Sequence, residues 1–212
     1  MRPHITVNFA CSLDGRIASK GGRAFKFSNY EDLVRVHKMR SETDMIIVGK
    51  NTINLDDPKL VVNPKYYKSN HLPDVGILDT NLTVNPKAKV FGYPRNVVVF
   101  CGRDIKVNSD SNDLESKIMV RNSNDGYVDS YFVVKELEKL GYTTVMIEGG
   151  RSVITSFVSE GNWDEISIFY SPVIMGDDGI PMFGALSDPL KLGSLETSKL
   201  GDGVLIKIKK EF

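Results

Sequence analysis

Cysteine is nearly absent from the 212-residue sequence, which holds only Cys11 and Cys101. With no partnered spacing they predict neither a disulfide framework nor a metal cluster, so a reduced, cytoplasmic chain without a metal is the expectation. A net charge of one sign is absent as well, because 27 Lys and Arg offset 27 Asp and Glu. That balance argues against a broad nucleic-acid surface or an anionic-membrane surface and leaves room for a local basic pocket. No uninterrupted apolar run approaches the roughly 20 residues of a membrane span. The opening "MRPHITVNFACSLDG" alternates polar and apolar residues and is not read as a signal peptide. The Walker pattern, the dinucleotide fingerprint GxGxxG and the paired H-x-E and P-C-x-x-C signatures of zinc deaminases are all missing.

What remains is ordinary globular composition, 41% apolar and 25% charged. Strand-like runs occupy residues 5–10, 45–48, 75–78, 97–101, 117–120, 143–147, 165–171 and 204–209. Several are short and almost continuously apolar ("MIIV", "VVVF", "VMI"), as strands covered on both faces are. The last alternates ("VLIKIKK"), which suits an antiparallel or edge strand. Helices are predicted over residues 28–40, 129–140 and 151–160. The first opens on "SNYE", read as a capping box from Ser28 to Glu31, with Tyr30, Leu33, Val34 and His37 on one face. The other two stop at Gly141 and Gly161. Residues 63–73 and 106–115 are polar and loop-like, and no internal repeat is visible, so residues 1–212 are read as one domain. The alternation implies an α/β fold: a mostly parallel central sheet, helices on both faces and an antiparallel C-terminal end.

Two strand-to-helix corners invite phosphate. In "MIIVGKNTINLDD" a buried strand turns through Gly49 toward a short helix, with Lys50 as a cation and Thr52 as a hydroxyl. In "TTVMIEGGRSVITSF" a second strand ends at Gly149 and Gly150, and a helix begins at Arg151. Helix starts carry free amide hydrogens and partial positive charge, and glycine allows close backbone approach. A glycine in such a place is also an ordinary turn. Two of them in one sheet, each flanked by an acidic residue, favour an extended nucleotide.

The segments "VNFACSLDGRIAS", "RSETDMIIVGKNTINLDDPKL" and "IEGGRSVITSFVSEGNWDEISIFYSPVIMG" resemble the pyrimidine reductases of riboflavin biosynthesis, in the same order and over nearly the whole chain. The resemblance implies a dihydrofolate-reductase-like fold and reduction of the ribosylamino side chain of a pyrimidine phosphate to ribitylamino, with NADPH, or NADH, as the hydride source. Without a deaminase signature the chain resembles the stand-alone archaeal and fungal type, which acts before deamination. Asn8 stands where bacterial members place a Lys, and an amide that can accept from an amino group agrees with the diamino substrate. An Asn that merely bonds a neighbouring strand is the alternative. The resemblance assigns cofactor phosphates to Gly49, Lys50, Thr52, Gly149, Gly150 and Arg151. It assigns the adenosine side to Asp79, Thr80 and Asn81. Asp56 falls between cofactor ribose and substrate, with Asp57 and Pro58 fixing the turn that presents Asp56 and Leu60. Glu148 lies near the substrate, and Asp56 and Glu148 are the catalytic candidates. Ser12, Asp14, Ser28, Arg40 and Leu60 join Asn8 as substrate contacts, Arg40 near the phosphate or else satisfying a helix end. Asn63 replaces the family's usual second phosphate arginine.

His37 reads as a partly buried helix residue, Cys11 as a small buried hydrophobe and Trp163 as core or interface. Asp32 reads as an acid favoured in a helix's first turn. It lies where a dihydrofolate reductase, the nearest rival, keeps its catalytic acid, but the Trp and Leu-Pro around that acid are missing. Reduction of the deaminated pyrimidine and a silent nucleotide-binding module are the other readings. Family members are homodimers, and the apolar residues 166–174 and 204–208 are the expected surface.

Overall fold

The computed structural model describes residues 1–102, 118–122 and 128–211. The expected loop at 106–115 and the first residue of the expected strand at 117–120 lie outside the described residues. In chain order the elements are β1 (His4–Cys11), β2 (Arg16–Ala18), α1 (Tyr30–Ser41), β3 (Met45–Gly49), α2 (Lys50–Asp56), β4 (Asp74–Leu78), β5 (Val97–Cys101) and β6 (Ile118–Asn122). There follow α3 (Ser130–Leu140), β7 (Thr144–Ile147), α4 (Arg151–Ser159), β8 (Glu165–Tyr170), β9 (Ile180–Pro181), β10 (Ser194–Leu200) and β11 (Gly203–Lys209). Among the described residues no helix is long and apolar enough to cross a membrane.

One nine-stranded sheet has the order β10-β11-β8-β1-β7-β3-β4-β5-β6. All neighbours from β8 to β6 run parallel. The strand β11 is antiparallel to β8, and β10 is antiparallel to β11. The small pair β2–β9 stands apart. Alternate residues of single strands enter different cores, which is why the strands read as unbroken apolar runs. Met45 and Ile47 join Val133, Leu137, Val153 and Phe157 of α3 and α4, whereas Ile46 and Val48 join Ile53 of α2 together with Val75 and Val97.

The third contact surface differs. Beneath α1 the buried residues are Asp32 and His37, and Tyr30 is exposed, so the apolar stripe expected from Tyr30 and Leu33 is not what this helix hides. Its partners are polar: Arg35 Nη1 donates to Ser167 Oγ of β8 at 2.9 Å. The N-cap also moves by one residue. Asn29 accepts from the Asp32 amide at 2.8 Å, and Ser28 instead donates its hydroxyl to the Asp32 carboxylate. Ser and Asn are equally good caps, so the sequence pattern alone does not choose between them.

The expected strand at 204–209 lies one place in from the edge, because β10 covers it. The strand β10 is solvent-facing along most of its length and has no apolar run to betray it. Asp129 caps α3 by accepting from the Phe132 amide at 2.6 Å, and Gly141 ends that helix at φ 83°. Cys11 and Trp163 are both buried, and burial pushes the Cys11 thiol up to about 12.

His37 pins the segment after β3 and α2 onto α1. Its Nδ1 accepts from the Asn63 amide at 3.0 Å, and its ring stacks on Tyr66 with centroids 5.1 Å apart. Burial, helped by the charge of Arg40 and partly opposed by Glu148, pushes the imidazole pKa below its ordinary value. A depressed folded value means stability present above the unfolded pKa and lost as pH falls through about 6.5 and below. The urea midpoint, followed by Trp163 fluorescence, is expected to drop between about pH 7.5 and about pH 5.5, and His37→Gln should flatten that step. An equal drop in wild type and variant would remove His37 as its cause.

Candidate active site

Strand order places the site. From β3 the chain moves through α2 to β4 on one side, while from β7 it moves through α4 past β1 to β8 on the other. The reversal falls between the adjacent strands β7 and β3, and a crevice opens at such a point outside the carboxyl ends of parallel strands. A cavity of about 810 Å³ lies there. Asn8 to Ala10 of β1, Glu148 to Gly150 after β7, Gly49 at the end of β3 and Leu78 to Asn81 at and after the end of β4 line it. Ile17, Ala18 and Ile180 of the small β2–β9 pair form one side.

The two glycine corners meet on one side chain. A Cβ at Gly149 would sit 2.5 Å from Val153 Cβ, and one at Gly49 would sit 3.0 Å from Val153 Cγ2. A Cβ at Gly150 would meet nothing nearer than Thr52 Oγ1 at 3.8 Å. Gly49 and Gly150 are the N-caps of α2 and α4, and neither start is closed by a side-chain hydrogen bond. Helices α1 and α3, away from these corners, are closed by Asn29 and Asp129.

Four carboxylates line the cavity. Glu148 is forked by Arg40, with Nε to Oε1 at 2.7 Å and Nη2 to Oε2 at 2.5 Å, while Arg40 Nη1 donates to the Val61 carbonyl. Burial would ease the proton off Arg40, but the charge and hydrogen bonds of Glu148 hold it on. Arg40 therefore does not cap its own helix: the Glu42 amide and the Thr43 hydroxyl serve the Met39 carbonyl there. Facing the cavity, Arg40 and Glu148 form a neutral pair rather than a cation. Asp79 is fully buried and accepts from the Thr83 and Val84 amides, with Lys50 Nζ 3.8 Å away and itself donating to Thr83 Oγ1. Asp32 is held by Arg35 and Ser28. Asp56, at the end of α2, is exposed and accepts one hydrogen bond, from the Ala24 amide at 3.2 Å.

The structure brings together Asn8, Ser28, Arg40, Gly49, Lys50, Thr52, Asp56, Asp79, Thr80, Asn81, Glu148, Gly149, Gly150 and Arg151 around this cavity. Three expected substrate contacts fall outside its lining. Ser12 is buried in the turn after β1, where its hydroxyl accepts from the Arg16 amide at 2.8 Å. Asp14 accepts from the Met175 and Gly176 amides, and these bonds with one from Ser12 hold its carboxyl at about 2. Leu60 packs into the core beside α2 with a left-handed φ of 49°. Asp57 is left-handed too, at φ 45°, and ends α2 while accepting from the Lys89 amide, which is the turn role expected of it.

Sequence reasoning passed over the buried Arg95 and weighed Asp32 without foreseeing its burial. Arg95 is 4% exposed and donates to the carbonyls of Lys59, Leu60, Pro73 and Val90. Burial, only partly opposed by Tyr93 and Asp74, lowers its pKa to about 10. A lone Arg before a strand gives no sequence signal for this. Asp32 is fully buried in the cavity wall rather than only an acid favoured in a helix's first turn, and the spacing of three residues to Arg35 is a signal for that burial.

Comparison with known proteins agrees with this geometry. Among solved structures, the chain superposes on RibD of Acinetobacter baumannii with a TM-score of 0.85 at 22% identity, covering 99% of this chain and 58% of that one. A dihydrofolate reductase from Enterococcus faecalis gives a TM-score of 0.52 at 11% identity over 99% and 97%, so the fold is the one expected. Among relatives, the riboflavin biosynthesis protein RibD of Aquifex aeolicus is 30% identical over 212 residues, 99% of this chain but 58% of that protein. The 2,5-diamino-6-ribosylamino-4(3H)-pyrimidinone 5′-phosphate reductase of Archaeoglobus fulgidus is 28% identical over 97% of both chains. The family model of the RibD C-terminal domain matches residues 3–206, and the chain belongs to that family.

Proposed function

We propose that the chain is an NADPH-dependent reductase of riboflavin biosynthesis. Its reaction converts the ribosylamino side chain of 2,5-diamino-6-ribosylamino-4(3H)-pyrimidinone 5′-phosphate to the ribitylamino form. The observation that carries this reading is the asymmetry of helix capping. Side chains close the starts of α1 and α3, whereas the starts of α2 and α4, at the two glycine corners of the cavity, carry no side-chain cap. Open amides at a helix start suit an anionic ligand. The Archaeoglobus relative, which carries the name of this activity, matches almost end to end and supports the substrate.

The residues present fit a dinucleotide. Gly149 and Gly49 let both corners close on Val153, and the missing side chain of Gly150 leaves space between them. Gly149, Gly150 and Arg151 would hold the pyrophosphate with Gly49, Lys50 and Thr52 beside them, and Asp79, Thr80 and Asn81 would border the adenosine. Lys50, Thr80 and Asn81 are the groups that would favour NADPH over NADH. A reduced nicotinamide held there supplies the hydride that C1′ of the sugar needs. The protein's own part is proton handling and positioning. Opening the sugar moves a proton from the side-chain nitrogen to O4′ and leaves a C1′=N imine; after hydride reaches C1′, one proton must return to nitrogen. Glu148, Asp79 and Asp32 are each tied to a cation, to backbone amides or to both. Asp56, with its single amide contact and exposed position, is the carboxylate free to exchange that proton.

The reading includes a homodimer. Strand β8 is consumed by the chain's own core, so the apolar surface left for it is Ile174, Leu195 and Val204 rather than the whole stretch at 166–174. Free, buried Cys11 and Cys101 accord with a reduced, cytoplasmic setting.

Nicotinamide absorbance should fall when the diamino pyrimidine phosphate is added with NADPH, and fall more slowly with NADH. No oxidation with either coenzyme would end the reading. Asp56→Asn is expected to lower kcat by about 10²-fold while leaving the NADPH dissociation constant within about threefold. Gly149→Ala should cost about 1–3 kcal/mol of stability through its clash with Val153 and weaken NADPH binding. Adding Val153→Ala to that variant should recover part of both, and simple additivity of the two losses would show that the corners do not press on this side chain.

A further inference from the structure

Helix α1 reaches the cavity without an apolar stripe to fix it. Ser28 before the helix and Asp32, Leu33, Val36 and Arg40 along it line the cavity, yet the residues the helix buries are Asp32 and His37. Its position therefore depends on directed bonds. The last turn is held by Arg40 on Glu148, and the middle by Arg35 on Ser167 and by His37 under the Asn63 amide. At the start, the bonds come from the far end of the sheet. Asn29 Nδ2 donates to the Leu200 carbonyl at 2.8 Å and to Asp202 Oδ1 at 2.7 Å. Both acceptors sit at the tip of the β10–β11 hairpin, where Leu200 pairs with Gly203. The tip is seated closely: Gly201 has φ 61°, and a Cβ there would overlap Asn29 Nδ2 and lie 2.7 Å from Glu31 Oε2. Behind the tip, a Cβ at Gly203 would lie 2.5 Å from the Tyr170 carbonyl at the end of β8.

This contact explains which residue caps the helix. Ser28 and Asn29 would serve equally as caps, but an amide is the cap that can also donate twice. Asn29 Oδ1 accepts from the Asp32 amide at 2.8 Å while its Nδ2 serves the hairpin. An aspartate there would cap as well and would have no hydrogen to give. We propose that Asn29 and Asp202 are positioning residues for the substrate. The hairpin tip fixes the start of α1, and with it the stretch of cavity wall that Ser28 and Asp32 form. Neither Asn29 nor Asp202 is among the residues that line the cavity, so both act through the helix. The inference rests on the reductase reading above and extends it to β10 and β11, which the cavity does not touch. Because the glycine corners lie on α2 and α4, the coenzyme side is independent of this contact.

The test measures the two ligands separately. Calorimetric titration of the diamino pyrimidine phosphate against protein saturated with NADP⁺ reads substrate affinity without reaction, and titration of NADP⁺ alone reads the glycine corners. Asn29→Asp keeps an acceptor for the cap and sets a carboxylate against Asp202. It should weaken pyrimidine binding about tenfold and leave NADP⁺ affinity within about twofold. Adding Asp202→Asn to that variant returns a donor across the same contact, and pyrimidine affinity should recover to within about threefold of wild type. A cap lost for structural reasons would not respond to that second change. Unaltered pyrimidine affinity in Asn29→Asp, equal losses for both ligands, or no recovery in the double variant would each overturn the inference. Loss and recovery as expected, without NADPH oxidation by wild type, would sink the reduction reading and leave the positioning role standing. A wild type that binds no pyrimidine phosphate would overturn both.

Discussion

Everything at the cavity depends on how closely two backbones approach one valine. The strand ends at β7 and β3 each bring a glycine against Val153, in the first turn of α4; a side chain at Gly149 has no room there, and one at Gly49 would be tight. Because β7 and β3 are neighbours and their helices leave in opposite directions, this contact is where the sheet divides. It sets the spacing of the two open helix starts, and so the width of whatever lies across them. A packing constraint and a binding geometry are thus the same fact.

The two covered faces of the sheet have different chemistry. Under α3 and α4 lies an aliphatic and aromatic core whose stability comes from area removed from water. Under α1 the buried groups are polar: Asp32 and Ser167 are held by directed bonds with Arg35, and His37 by one with Asn63. Directed bonds tolerate little displacement, which suits the half of the sheet that has to place ligand atoms. Asp56 stands apart from both at the cavity mouth, the most weakly tethered of the lining carboxylates.

What could be read from the sequence follows the same division. The inner strands β3, β5 and β7 were legible because burial on both faces leaves an unbroken apolar run, and the glycine corners were legible because they end such runs. The edge strand β10, exposed and polar, carried no such signature. Ser12 and Asp14 fall outside the cavity lining, and a motif beside a strand end does not say whether its side chains turn toward the cavity or tie the following loop. Leu60 differs: a leucine with positive φ is uncommon, so sequence gives no warning that the side chain swings into the core. Asp32 looked like a helix-start acid, a role so common that it hid the buried pair with Arg35.

The guanidinium of Arg95 donates to four main-chain oxygens and lies 5.3 Å from the Tyr93 ring. Carbonyls are the same whichever residue carries them, so this anchor is indifferent to the side chains of the segment it grips. Exposed Lys59 is free to vary in identity while its path behind α2 stays put, provided that one cation remains, whereas buried Leu60 is also held by its core packing. Sequence drift in that segment and constancy of its course are compatible here, and the burden of keeping the course rests on a residue far along the chain.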